Sequence, residues 1–191
     1  MIRAVLDSVP GLDVPDDWDV PLGKSATESG PLPIAMSVST KEDMFKTAIA
    51  YAKRISRESK TQKGRTAILC MDDDRFNTYA RAAEGQFPNE VVVIASRDDT
   101  EKLRYAHRKI ILSTPEYVAG LQFSTVILAD VNRELVSEGR YNGNQLRKFL
   151  AELYLGISRA ERRVIIISSM DAGGTSPYIQ SQINAGVVAR A

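Results

Sequence analysis

From Ile34 onward, short apolar runs alternate with amphipathic segments, and that alternation limits the possible folds more than any other feature of the chain. Apolar residues predict strands at Ile34–Val38, Thr66–Cys70, Glu90–Ile94, Lys109–Ser113, Thr125–Asp130 and Arg163–Ser168. Between the first two strands, Met44, Phe45, Ala48, Ile49, Ala52 and Ile55 recur at three- and four-residue spacing, which predicts a helix to about Arg57. Thr40 stands where a cap is needed, with Asp43 at the third helical position. Further helices are expected at Asp73–Glu84, from Asp98 through about Ala106, and at Ser176–Asn184. The strongest is expected over Gln145–Ala160, with Leu146, Phe149, Leu150, Leu153, Tyr154 and Ile157 on one face. Pro115 is placed to open a helical turn, and residues 131–144 read as a loop. Strands alternating with helices imply a mostly parallel sheet covered on both faces. Ligands on such sheets collect beyond the strand carboxyl ends, so chemistry is expected there, around residues 71–74, 96–98, 113–120, 130–133 and 168–174.

Residues 1–33 are different. Repeated prolines and the run Asp13-Val14-Pro15-Asp16-Asp17-Trp18-Asp19 break any regular period, so this part reads as an irregular lead-in to a domain over 34–191. With 25 basic and 24 acidic residues the net charge is +1, which gives no overall footprint of a nucleic-acid binder but leaves room for a local basic patch. A single cysteine, Cys70, excludes an internal disulfide or a Cys-rich zinc site. One histidine, His107, leaves little room for a His-based metal centre or a Ser-His-Asp triad. No run reaches the roughly 18 apolar residues that span a bilayer, and the N-terminus does not read as a signal peptide. A soluble, cytoplasmic domain is expected, with no membrane partner and no metal ligands of its own.

Several short matches carry ordinary structural readings. Gly23-Lys24-Ser25 lacks the earlier glycine, the preceding strand and the following helix of a phosphate loop. Val126–Asp130 has the form of a strand that ends in a magnesium-binding acid, but without a phosphate loop Asp130 is expected simply to close a buried strand. Asp72-Asp73-Asp74 suits the cap and first turn of the next helix, where the dipole favours negative charge. Cys70 is expected to pack, and His107 to lie at the surface.

The informative region runs from Lys109 to Ser169. Ser113-Thr114-Pro115-Glu116-Tyr117-Val118-Ala119-Gly120-Leu121-Gln122-Phe123 separates two strands, and Leu153-Tyr154-Leu155-Gly156-Ile157-Ser158-Arg159-Ala160 precedes the last. These segments resemble motifs V and VI of the UvrD/Rep-type superfamily 1 DNA helicases. In that family the first is a strand followed by Thr-x-His-x-x-Lys-Gly-Leu-Glu-Phe, and the second is Leu-Tyr-Val-Ala/Gly-x-Thr-Arg-Ala before an apolar strand. The upstream order of strand, long helix, Arg65–Leu69 strand and helix with Arg75 is similar as well, so the resemblance covers roughly residues 29–170.

That resemblance implies the second RecA-like domain of such a helicase, an α/β fold of the phosphate-loop NTPase type without its Walker A half. Arg159 matches the motif VI arginine, which reaches the γ-phosphate of ATP bound on a separate N-terminal RecA-like domain of the same polypeptide. Thr114 matches the motif V threonine beside single-stranded DNA, and Glu116 stands where the family has a histidine. Gly120 matches the turn glycine, and Gln122 the glutamate that contacts the nucleotide ribose. ATP and Mg2+ are then expected only in the complete two-domain protein, and the isolated chain is expected neither to hydrolyse ATP nor to unwind DNA. Glu116, Ala119 and Gln122 replace histidine, lysine and glutamate, removing positive charge where a phosphate backbone should lie. A second reading follows from this erosion: a stand-alone, degenerate helicase-like module that binds a nucleotide or a partner without catalysis.

Overall fold

A computed structural model describes residues 30–58, 65–106, 109–136 and 143–191. Most of the lead-in, Gly23-Lys24-Ser25, His107 and residues 137–142 of the expected 131–144 loop lie outside these residues. Seven strands form one sheet: β1 (Ile34–Val38), β2 (Thr66–Cys70), β3 (Val91–Ile94), β4 (Ile110–Ser113), β5 (Phe123–Ala129), β6 (Ala160–Ser169) and β7 (Ala189–Arg190). Their order is β3-β4-β2-β5-β6-β1-β7, and every pairing is parallel.

Helices cover both faces. On one lie α1 (Lys41–Glu58) and α2 (Asp73–Gln86), which bury Met44, Ala48, Ile49 and Phe76 against Ile68, Ile127 and Ile165. Phe45 and Tyr79 stack between the two helices, with ring centroids 5.1 Å apart. On the other face α3 (Gly143–Ser158) and α4 (Pro177–Asn184) cover Leu69, Val126, Leu128 and Ile166 with Leu150, Leu153, Ile157 and Ile179. The central strands are apolar on both faces because both faces are covered.

The caps form as the sequence predicts. Asp72 Oδ1 accepts from the backbone N–H groups of Asp74 at 3.0 Å and Arg75 at 3.1 Å. Thr40 Oγ1 accepts from Asp43 N–H at 3.3 Å and donates to Asp43 Oδ2 at 2.8 Å, a reciprocal cap on α1.

Four local expectations are revised. The segment at Asp98–Tyr105 is a 3-10 helix, because its polar sequence buries only Leu103 and gives an α-helix no apolar stripe to dock. The expected loop after Val131 holds a 3-10 turn at Arg133–Val136. β6 starts at Ala160, three residues early, because Ala160 pairs with Phe123 at the foot of β5; α3 therefore ends at Ser158. Finally, the short β7 beside β1 is a strand the sequence reading did not predict.

Candidate functional site

Parallel strands give the sheet two chemically distinct rims, and the residues singled out in the sequence divide between them. Thr114 follows β4 at the carboxyl rim, where it is 5 % exposed, and Glu116 stands exposed two residues on. The chain then turns down the α3 face and reaches the amino rim at Gly120, Leu121 and Gln122, just before β5. Gly120 has φ +87, a left-handed conformation that a side chain resists.

Arg159 lies in the one-residue turn between α3 and β6, beside that segment. Its carbonyl accepts from Phe123 N–H at 2.9 Å. Its guanidinium donates from Nη1 to the Leu121 carbonyl at 3.4 Å and from Nη2 to Ser158 Oγ at 3.1 Å. Gly120, Gln122 and Arg159 therefore share one corner, with Gln122 exposed and Arg159 half-buried. The sequence groups Gly120 with the carboxyl-end segment 113–120, and the structure places it instead at the amino rim with Gln122 and Arg159. Residues that precede a parallel strand sit at its amino end. The role of Ser158 in holding the guanidinium was also missed, although its position next to the arginine was a usable signal.

Helix α3 can seat its last turn close to the sheet because Gly156 has no side chain. A Cβ there would lie 2.7 Å from Leu128 Cδ2 and 3.7 Å from Leu69 Cδ1 and Pro115 Cγ. The motif glycine thus sets how closely the arginine-bearing turn approaches β5.

The carboxyl rim is closed on itself. Asp130 ends β5 fully buried, with φ 63, a left-handed value that aspartate tolerates better than most residues. Its carboxylate accepts from Cys70 Sγ at 3.4 Å and from Asn132 Nδ2 at 3.5 Å. Asn132 Oδ1 in turn accepts from Ser169 N–H at 2.8 Å, so the residue staples β5 to β6. Burial pushes the Asp130 carboxyl above the usual carboxylate range, partly offset by hydrogen bonds from Tyr79 and Cys70 and by the Arg75 charge. Burial likewise pushes the Cys70 thiol well up, which leaves it inert. Asp130 is thus the strand-closing acid expected from the sequence, and the Asp-x-Asn spacing that staples the strands went unread.

Beside Thr114 the carboxyl rim is acidic. Glu152 has its carboxyl raised by burial, with the charges of Asp73 and Glu116 raising it further and Lys148 opposing them. Lys148 pairs with Asp73 at 2.9 Å and with Glu152 at 3.5 Å. Among the described residues no group of three or more His, Cys, Asp or Glu side chains could hold a metal ion. None of the described helices is long and apolar enough to cross a membrane.

No protein-family model matches the sequence, and no curated protein matches it. Solved structures do. The C-terminal domain of "a possible DNA helicase" from Lactobacillus plantarum WCFS1 superposes with a TM-score of 0.61 at 18% identity, covering 85% of this chain and 86% of that one. The C-terminal domain of the DEAD-box protein Dbp5 gives 0.53 at 14% identity, covering 84% and 89%. An XPD helicase gives 0.50 at 13% identity, with 83% of this chain matching 35% of the larger one. The chain therefore has the RecA-like α/β fold found in helicase C-terminal domains.

Proposed function

We propose that this chain is the second motor domain of a UvrD-like, ATP-dependent DNA helicase. In this reading it supplies Arg159 to ATP bound on a separate N-terminal RecA-like domain. The observation that carries the reading is the corner where the Arg159 guanidinium rests on the Gly120–Leu121 turn, 3.4 Å from the Leu121 carbonyl. Two segments nearly forty residues apart in sequence, each resembling a helicase motif, meet there at one rim.

The chemistry follows from the donors. Arg159 presents a planar, permanently charged fork held by two neutral acceptors, Leu121 O and Ser158 Oγ. Neutral contacts of this length yield readily to a charge-assisted bond with phosphate oxygens. A fork placed there stabilises the charge that spreads over the transferred phosphoryl group. The Gln122 amide is free to hydrogen-bond a ribose hydroxyl, without the charge of the glutamate it replaces. Mg2+, which bridges and neutralises phosphate oxygens, falls to the first domain in this reading, since Asp130 is buried and answered by Cys70 and Asn132.

The test is DNA-stimulated ATP hydrolysis by the full-length protein. Arg159→Ala should lower kcat by about 10³-fold or more, with ATP affinity changed far less. An unchanged kcat overturns the proposal.

The acidic group of Asp73, Glu116 and Glu152 around Thr114 favours one specific variation: DNA contact through motif V is weak, and the chain works as a non-catalytic module. Absence of ATPase activity from the full-length protein, with nucleotide binding retained, would support that variation.

A further inference from the structure

We infer that Ser158 is the positioning residue of Arg159: its hydroxyl takes one edge of the guanidinium and leaves the terminal fork of Nη1 and Nη2 for a phosphate. That role rests on the function proposed for Arg159 above and specifies which edge of the side chain does the work. Arg159 Nε donates to Ser158 Oγ at 3.3 Å, and Nη2 donates to the same oxygen at 3.1 Å. Nε and Nη2 lie along one edge of the planar group, so their convergence on one oxygen fixes both the edge in use and the plane. The contact from Nη1 to the Leu121 carbonyl is longer, at 3.4 Å, and alone it would leave the group free to turn about its Cδ–Nε bond. Nη1 and Nη2 carry two hydrogens each. With one of each spent on Leu121 and Ser158, the second hydrogens form the terminal fork, the geometry that a phosphate accepts bidentately.

The oxygen that receives this edge is itself held. A hydroxyl has one hydrogen and two lone pairs, and Ser158 donates its hydrogen to the Leu155 carbonyl at 2.8 Å. Its lone pairs are then left only to accept, which is what an arginine edge requires. Arg159 N–H donates to the Gly156 carbonyl at 3.2 Å, so two of the carbonyls that a helix end leaves open are answered in this last turn of α3. Gly156 lets the same turn seat close to Leu128 and Pro115. The aim of the guanidinium is thus tied, through Ser158, to the packing of α3 on the sheet.

A serine that back-bonds to a helix carbonyl can also be a simple local cap. A cap uses only the hydrogen of the hydroxyl. Here the acceptor side is used as well, and both N–H groups on it come from the one residue that the proposed function needs to aim.

Two measurements separate these roles. In DNA-stimulated ATP hydrolysis by the full-length protein, Ser158→Ala should lower kcat about tenfold or more, because the fork is present but misaimed, and change KM for ATP less than about twofold. Threonine and valine differ by a hydroxyl in place of a methyl, so Ser158→Thr should keep most of kcat and Ser158→Val should behave like alanine. In the chain on its own, hydrogen exchange at Arg159 Nε, followed by NMR, should quicken about fivefold in Ser158→Ala and Ser158→Val and stay slow in Ser158→Thr. A lower melting temperature in Ser158→Ala with kcat and exchange unmoved overturns the positioning role and leaves a cap. Valine matching threonine in kcat overturns it too. Lost hydrolysis in Arg159→Ala beside a silent Ser158→Ala overturns the positioning role and leaves the proposed function standing. Unchanged hydrolysis in Arg159→Ala overturns both.

Discussion

At the carboxyl rim Asp130 is wholly buried and its carboxylate is taken up by Cys70 and Asn132, whereas at the amino rim Arg65, Arg162 and Gln122 stand exposed and Arg159 rests on neutral oxygens. Both rims belong to one sheet, and the same strands feed both. The difference teaches where polar groups are structural and where they are available. At the carboxyl rim most polar groups answer one another, so removing one should cost stability. At the amino rim Arg159 rests on neutral oxygens and Gln122 stands exposed, so removing either should cost little stability. Under the proposed function, Arg159→Ala is expected to cut hydrolysis about thousandfold with folding intact, which is the sharpest test of that contrast.

The largest stability effect is expected from Asp130→Ala. It leaves Cys70 and Asn132 facing a buried void and puts alanine at φ 63, for a loss of about 3 kcal/mol in urea unfolding. Asp130→Asn adds a pH signature. Because burial makes the folded-state carboxyl titrate above the ordinary value of 3.8, the folded chain holds its proton more tightly than the unfolded chain. Stability from this group is thus greatest in acid and falls as pH rises through that raised range. The asparagine variant has no carboxyl to titrate, so the stability difference should shift in its favour from about pH 4 upward. A pH-independent difference overturns the raised titration of Asp130, since it requires the carboxyl to titrate alike in the folded and unfolded chain.

Gly156→Ala tests the link between the core and the amino rim. Its Cβ meets Leu128 Cδ2 at 2.7 Å, a strain that outweighs the gain in helix propensity and leaves a net cost of about 1 kcal/mol. Because α3 ends one residue before Arg159, the proposed role of that arginine predicts that kcat falls as well. Asp72→Ala removes the cap of α2 for about 1 kcal/mol and should leave hydrolysis unchanged. A loss of activity there erases the distinction between the rims.

How much of this could be read from the sequence follows from the range of each interaction. Buried strands such as Ile68–Cys70 and the periodic face of α1 are local signals, and so are the Thr40 and Asp72 caps, so all were legible. Arg159 was legible as a residue type in a motif, but its rim was not, because that depends on Ala160 pairing with Phe123 across the sheet. β7 was missed because two residues carry no period; it exists only because β1 offers an unpaired edge. Asn132 was missed because its partner, Ser169, lies thirty-seven residues away.

The smallest effect expected is at the Lys41–Glu134 pair, which ties the start of α1 to the 3-10 turn after β5. Both side chains are part-exposed, so a double-mutant cycle with Lys41→Met and Glu134→Gln should give a coupling of about 0.5 kcal/mol, shrinking at high salt. The hydrogen bond that Lys41 donates to Glu134 raises its ammonium above the ordinary value of 10.5, so the coupling is fully present below that pH and disappears as pH rises through the folded-state value. A coupling several times larger would make the pair a structural strut of the carboxyl rim on a par with Asp130. A value near zero would leave the buried staple of Asp130, Asn132 and Ser169 holding that rim without help from its surface charges.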